Sequence, residues 1–228
     1  MTSPVTSPLP LRLSIALSIL SGFLYFLAFP GVDVWPLAFL CWAPLLVAIE
    51  GQTPKRALFL GWVHGVTSVC CGFRFLLATL KTFAGFPFIF CLGIFLILAA
   101  YQALSFGTIA FLYGRARAKG WPAGLVFGLS VAASEQAFPL LFPYYAGAQL
   151  HTVPRLIQIV DLGGPIAASV ALAGGSVAVA ELVWSRIQLR AIDRRRVALA
   201  LIGPALIVVY GSIRLAQVDR AIAAAPSA

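Results

Sequence analysis

The chain has 228 residues, of which 61% are apolar and only 10% charged, against roughly 25% charged in an average soluble domain, so it carries too few ionised side chains to solvate a water-soluble particle. The formal net charge of +9 would suit nucleic acid, but the basic residues sit in short clusters between long uncharged runs, the distribution that orients membrane proteins. Composition therefore excludes a soluble domain and argues against a nucleic-acid partner.

A hydrocarbon core about 30 Å thick needs about 20 apolar residues of helix. Seven uncharged runs approach that size, near residues 12–29, 34–50, 56–80, 87–113, 121–138, 158–184 and 197–214. The predicted fold class is an all-α integral membrane protein, a bundle of about seven transmembrane helices. The first run is long for a signal peptide and lacks a small-x-small cleavage site after Phe29, so it reads as a retained helix. A cytoplasmic N-terminus places Arg12, Lys55, Arg56, Arg115, Arg117, Lys119, Arg186, Arg190, Arg194, Arg195 and Arg196 inside. Lys81, Arg155, Arg214 and Arg220 fall outside, and seven helices put the C-terminus in the periplasm. The domain reading is a cytoplasmic tail at 1–10, a membrane domain at 11–214 with an ordered outer loop at 139–157, and a periplasmic tail at 215–228.

In chain order, the third run carries Gly61 and Gly65, one turn apart, which read as a close helix contact, with His64 between them as a packing residue. Cys70 and Cys71 lie in the same run, Cys41 and Cys91 in others, and none has the spacing of a metal or redox site. Arg74 interrupts the run about seven residues before its outer end. Glu135 lies about one turn before the outer end of the fifth, at similar depth. Ionisable groups inside a span are costly unless paired or hydrated, so the two are expected to pair, as a functional site or as a structural lock, the other reading being that Arg74 snorkels to the surface. Pro139, Pro143 and Pro154 break the next stretch, which clusters Tyr144, Tyr145, Gln149 and His151. Glu181 reads as an interfacial salt bridge. Arg186, Arg190 and Arg194 share one face if helix six continues, an anchor with affinity for anionic headgroups.

Ala28-Phe29-Pro30, Asp33, Trp35-Pro36 and Pro44-Leu45-Leu46 are followed by Gly61-Trp62, Gly72, Glu135, Phe142-Pro143-Tyr144, Gly147, Gln149, Gln158 and Gly163-Gly164. In order and approximate spacing this set resembles the membrane domain of apolipoprotein N-acyltransferase over roughly residues 18–184. The resemblance implies a multi-pass protein of the bacterial inner membrane. It also implies a part in lipoprotein maturation, where an acyl chain moves from a phospholipid to the free amine of a diacylated lipoprotein. With Arg74 and Tyr145 from the reading of the residues above, and Glu135, Tyr144, Gln149 and Gln158 from the resembling set, the lipid- and substrate-binding candidates are Arg74, Glu135, Tyr144, Tyr145, Gln149 and Gln158. The family's catalytic Glu, Lys and Cys belong to a nitrilase-like domain following the seventh helix, and no position here matches them. No catalytic residue, cofactor or metal ligand is therefore expected in these residues, and a separate nitrilase-like chain is the implied catalytic partner. The alternative is a non-catalytic membrane protein of the same fold that binds lipid or lipoprotein.

Overall fold

Turn chemistry sets the ends of most helices. In the computed structural model, which describes residues 7–189 and 191–224, α1 (Leu11–Ala28) begins directly after Pro10. Thr53 caps α3 (Pro54–Gly72) by accepting from Arg56 N–H at 3.4 Å, with Pro54 at the first helical position where its missing donor costs nothing. Gly85, at φ 64°, ends α4 (Phe75–Ala84), and α5 (Phe88–Ala118) starts after Pro87. Following α6 (Ala123–Ala137), a 3-10 turn at Ala146–Leu150 and the short α7 (Pro154–Ile157) lead into α8 (Val160–Ile187). Asp193 accepts from Arg196 N–H to start α9 (Arg194–Ala200), which continues into α10 (Ile202–Ala224). The described residues contain no strand.

Four helical stretches are long and apolar enough to cross a bilayer by themselves: Leu11–Ala28, Phe88–Ala118, Val160–Ile187 and Arg194–Ala224. A fifth is added if α3 and α4, bent by 58° at their junction, are counted as one span. This is a multi-pass membrane protein. The two remaining apolar runs fold differently from straight spans. Residues 35–49 form a 3-10 turn (Trp35–Phe39) and the short α2 (Ala43–Ile49), because Pro36 and Pro44 withdraw backbone donors from a continuous ladder. All of α2 except Pro44 is buried. The segment still crosses the bundle, from Asp33, 3.6 Å from His151 at one end, to Glu50, 2.7 Å from Arg117 at the other. Broken helix is tolerated at that depth because protein covers it. The other run, α6, has 15 residues and spans about 22 Å, less than a hydrocarbon core.

Close helix contacts hold the bundle. A Cβ on Gly61 would lie 2.5 Å from Ala110 Cβ, and one on Gly65 would lie 2.8 Å from Ala103 Cα, so these glycines let α3 and α5 approach backbone to backbone, as their spacing predicts. Two ends can be distinguished by content. The basic end carries Lys55, Arg56, Arg115, Lys119, Arg186 and Arg194, all exposed, and the face proposed for Arg190 includes a residue outside those described. The loop end carries the 139–157 stretch, α7 and the start of α8.

Candidate functional site

The loop end is built around one interruption in a helix. Gly163 (φ −170°, ψ 33°) and Gly164 (φ 66°, ψ −167°) break α8 before Pro165, which could not have continued a regular ladder. The Pro165 carbonyl accepts from Ser169 Oγ at 3.1 Å, and that hydroxyl oxygen accepts from Gly147 N–H at 2.8 Å. A Cβ on Gly147 would come within 2.5 Å of Pro165 O, so a side chain is excluded where the loop lies on the kink.

α5 fixes the other side of the loop. Gln102 is fully buried and uses both ends of its amide, donating to Phe142 O at 3.0 Å and accepting from Leu141 N–H at 2.9 Å. Tyr101 donates to Pro139 O at 2.6 Å. These anchors set Phe142-Pro143-Tyr144 over the bundle. Tyr144 stacks on Phe106 at 5.8 Å and meets Phe29 edge-on at 5.9 Å and Phe73 at 5.8 Å. Burial pushes its phenol above the ordinary range, so it stays a neutral donor, and its hydroxyl has no hydrogen-bond partner among the described residues.

Glu135 lies below this loop. Its Oε1 accepts from Ala146 N–H at 2.8 Å, while Oε2 is buried with no partner among the described residues. The expected pair with Arg74 is not formed. α3 ends at Gly72, and the break buries Phe73 among the rings of Phe29, Phe142 and Tyr144, which turns the following residue outward. Arg74 is exposed there, its guanidinium 5.9 Å from the Phe26 ring centroid. Counting residues along a straight helix placed the two charges at one depth; the bend separated them.

Two small cavities flank the site, sharing Tyr25, Phe106 and Tyr144. The first is closed by Phe26, Phe29, Ser68, Gly72 and Phe73. The second is closed by Trp42, Ser105, Ser134, Glu135 and Leu140. Of the six residues expected at the site, Glu135 and Tyr144 share the second cavity, and Gln149 is buried beside them, donating to Tyr25 O at 3.5 Å. Arg74 reaches Phe26 on the wall of the first cavity from outside. Tyr145 is half-buried and lines neither cavity, and Gln158 donates within the loop to Pro154 O at 3.0 Å. Gln102 and Tyr101 were missed, although a lone amide in the middle of an apolar run was a visible signal. His64 is packed as expected: it stacks on Trp42 at 4.7 Å and shares Nδ1 with Ser21 Oγ at 3.0 Å. No group of three or more His, Cys, Asp or Glu side chains could hold a metal among the described residues.

Residues 21–178, which include every side chain of this site, match the family described as the apolipoprotein N-acyltransferase N-terminal domain. The chain belongs to the apolipoprotein N-acyltransferase family. The apolipoprotein N-acyltransferase of Geobacter metallireducens is 30% identical over 172 residues, which are 73% of this chain and 33% of that protein. The Vibrio parahaemolyticus apolipoprotein N-acyltransferase is 37% identical over 86 residues, or 38% of this chain and 17% of its own length. That of Thermotoga maritima is 33% identical over 104 residues, 43% of this chain and 21% of its length. The chain thus spans about a third or less of the length of each of these relatives.

Proposed function

We propose that this chain is a membrane module for phospholipid-dependent N-acylation of lipoproteins, working in the bacterial inner membrane with a nitrilase-like catalytic chain docked at the loop end. The observation that carries this reading is the family match over residues 21–178, which covers the whole loop-end site. Its N-terminus is cytoplasmic and its C-terminus periplasmic in this reading, which puts the loop end on the side where a lipoprotein substrate arrives. Acyl transfer needs an activated nucleophile with a base in hydrogen-bond reach. The polar side chains lining the two cavities at the loop end are the Glu135 carboxylate, the Tyr25 and Tyr144 phenols, the Trp42 indole and the Ser68, Ser105 and Ser134 hydroxyls, suited to binding and positioning, while His151 lies outside them, 3.6 Å from Asp33. Nucleophilic attack on the phospholipid ester is therefore the task of the partner, and this chain holds the lipid substrates.

The test is reconstitution in phospholipid vesicles with a fluorescent diacylated lipopeptide. The chain alone is expected to leave the lipopeptide unmodified, and transfer is expected when a nitrilase-like domain from the native membrane is added. Acyl transfer by the isolated chain would overturn the assignment of the chemistry to a partner. Affinity purification from the native membrane that brings down no nitrilase-like protein would overturn the split arrangement.

A further inference from the structure

Outside both cavities, Asp33 and His151 face each other at the loop end, with His151 Nε2 3.6 Å from Asp33 Oδ1. Neighbouring groups fix the chemistry of the facing atoms. His151 Nδ1 lies 3.1 Å from the Ala148 carbonyl, which can only accept, so Nδ1 carries the proton. The neutral ring therefore turns the lone pair of Nε2 toward a carboxylate oxygen. Asp33 Oδ1 is shielded from solvent and has no hydrogen-bond partner among the described residues, where no Lys or Arg pairs with this carboxylate either. Two acceptors aimed at one another need a cation between them. A shared proton would draw the heavy atoms to about 2.8 Å. Two ligands about 2.1 Å from a zinc ion at a tetrahedral angle lie about 3.4 Å apart, close to the 3.6 Å between these atoms.

Both side chains are also oriented as metal ligands are. The Ala148 carbonyl holds the imidazole by its distal nitrogen, and Gly31 N–H donates to Asp33 Oδ2 at 3.3 Å. The main chain pins Asp33 as well. It adopts φ 63°, a left-handed conformation that aspartate tolerates, with its N–H on Phe29 O at 3.2 Å and its carbonyl accepting from Trp35 N–H at 2.8 Å. We infer that Asp33 and His151 form a binding site for a divalent transition-metal cation of the zinc class, with water in the remaining positions. The side chains are 35% and 46% exposed, which leaves the open side of the pair to those waters and keeps the ion exchangeable. Magnesium and calcium are poor candidates, since both favour all-oxygen sets and half of the protein's contribution is an imidazole nitrogen. The bound ion joins the turn after α1 to the end of the 3-10 turn at Ala146–Leu150, and so fastens the loop whose Gln149 is buried against Tyr25 O. This goes beyond the proposed acyl-transfer role and is read without it.

The experiment is titration of the detergent-purified chain with Zn2+ at neutral pH, followed by calorimetry and by thermal unfolding. One equivalent of zinc is expected to bind and to raise Tm. Asp33→Asn keeps an acceptor for Gly31 N–H and suits the positive φ, and His151→Gln changes a side chain that is half in solvent, so both should fold. Each should weaken zinc binding about tenfold or more and abolish the rise in Tm. The vicinal thiols of Cys70 and Cys71, both half-buried, are the competing ligands. Co2+ in place of Zn2+ separates the two, because a thiolate complex shows an intense charge-transfer band and a nitrogen-oxygen complex does not. Zinc binding undiminished in both variants, or a cobalt complex with thiolate bands, would overturn the site. So would a parent chain that takes up no zinc, which leaves the pair to a proton on His151.

Discussion

Gln102 makes two hydrogen bonds from one side chain, and both end on the backbone that carries Phe142-Pro143-Tyr144. Gln102→Leu keeps the volume and removes both partners, so the loop should loosen at a cost of about 1–3 kcal/mol, read as a lowered Tm in detergent. A larger effect is not expected, because Leu141 and Phe142 are exposed and their backbone can turn to other partners. Arg74 and Glu135 give the opposite case, two charges that residue counting paired and that the bend at Phe73 parts. Arg74→Ala and Glu135→Gln should therefore be additive within about 0.5 kcal/mol in a double-mutant cycle of thermal stability. A coupling well above that would mean that the two side chains meet. The difference between the two readings lies in one backbone joint that no pattern of apolar residues announces, since Gly72, Phe73 and Phe75 are all acceptable inside a lipid-facing helix.

Between elements, small residues decide how closely backbones approach. A Cβ on Gly61 meets Ala110 Cβ at 2.5 Å and Phe106 O at 2.6 Å, both on α5. Gly61→Ala should destabilise by about 1–3 kcal/mol, because neither neighbour can yield without parting two helices. Gly93, in the same α5, has nothing within 4 Å of its Cβ position, so Gly93→Ala should be neutral or stabilising by up to about 1 kcal/mol. Thermal unfolding of the two variants side by side checks both signs. α2 and α5 are tied differently, through Glu50, which takes Arg117 at 2.7 Å and the Tyr113 hydroxyl at 3.1 Å with both ion-pair partners about 15% exposed. Glu50→Ala strands a largely buried guanidinium and should cost about 3–5 kcal/mol, a loss that Arg117→Met in the same chain should partly restore. The Gly61/Gly65 contact was legible because spacing alone identifies a helix face. The Glu50–Arg117 tie was not, because 67 positions separate the partners and only the folded path of residues 35–49 brings them together.

At the scale of the molecule, the asymmetry of charge predicts orientation: eleven basic residues are assigned to one side and four to the other. A periplasm-active reporter fused at Ala228 should be active, and one fused at Lys119 silent. The reverse pattern would invert the orientation and move the loop end away from the lipoprotein side. Orientation is tested independently of catalysis, because insertion responds to flanking Lys and Arg and not to what the loop end binds.

Much of the architecture was readable from the chain alone. The lack of charge demanded a bilayer, and of the seven apolar runs it marked, four to five fold as helical stretches long enough to cross one. The ordered set from Ala28-Phe29-Pro30 to Gly163-Gly164 pointed to the family that the match over residues 21–178 establishes. Hydropathy and turn residues are local properties, and a bilayer converts them into helices almost without reference to the rest of the protein. The site was only half readable. Glu135, Tyr144 and Gln149 come together as their clustering suggested, while Arg74 is turned outward and Gln102 takes an anchoring role that its position in an apolar run did not specify. Which side chains meet depends on where α3 bends, where α8 breaks and how residues 35–49 are buried. Those are outcomes of packing between segments far apart in sequence, and only the assembled bundle decides them.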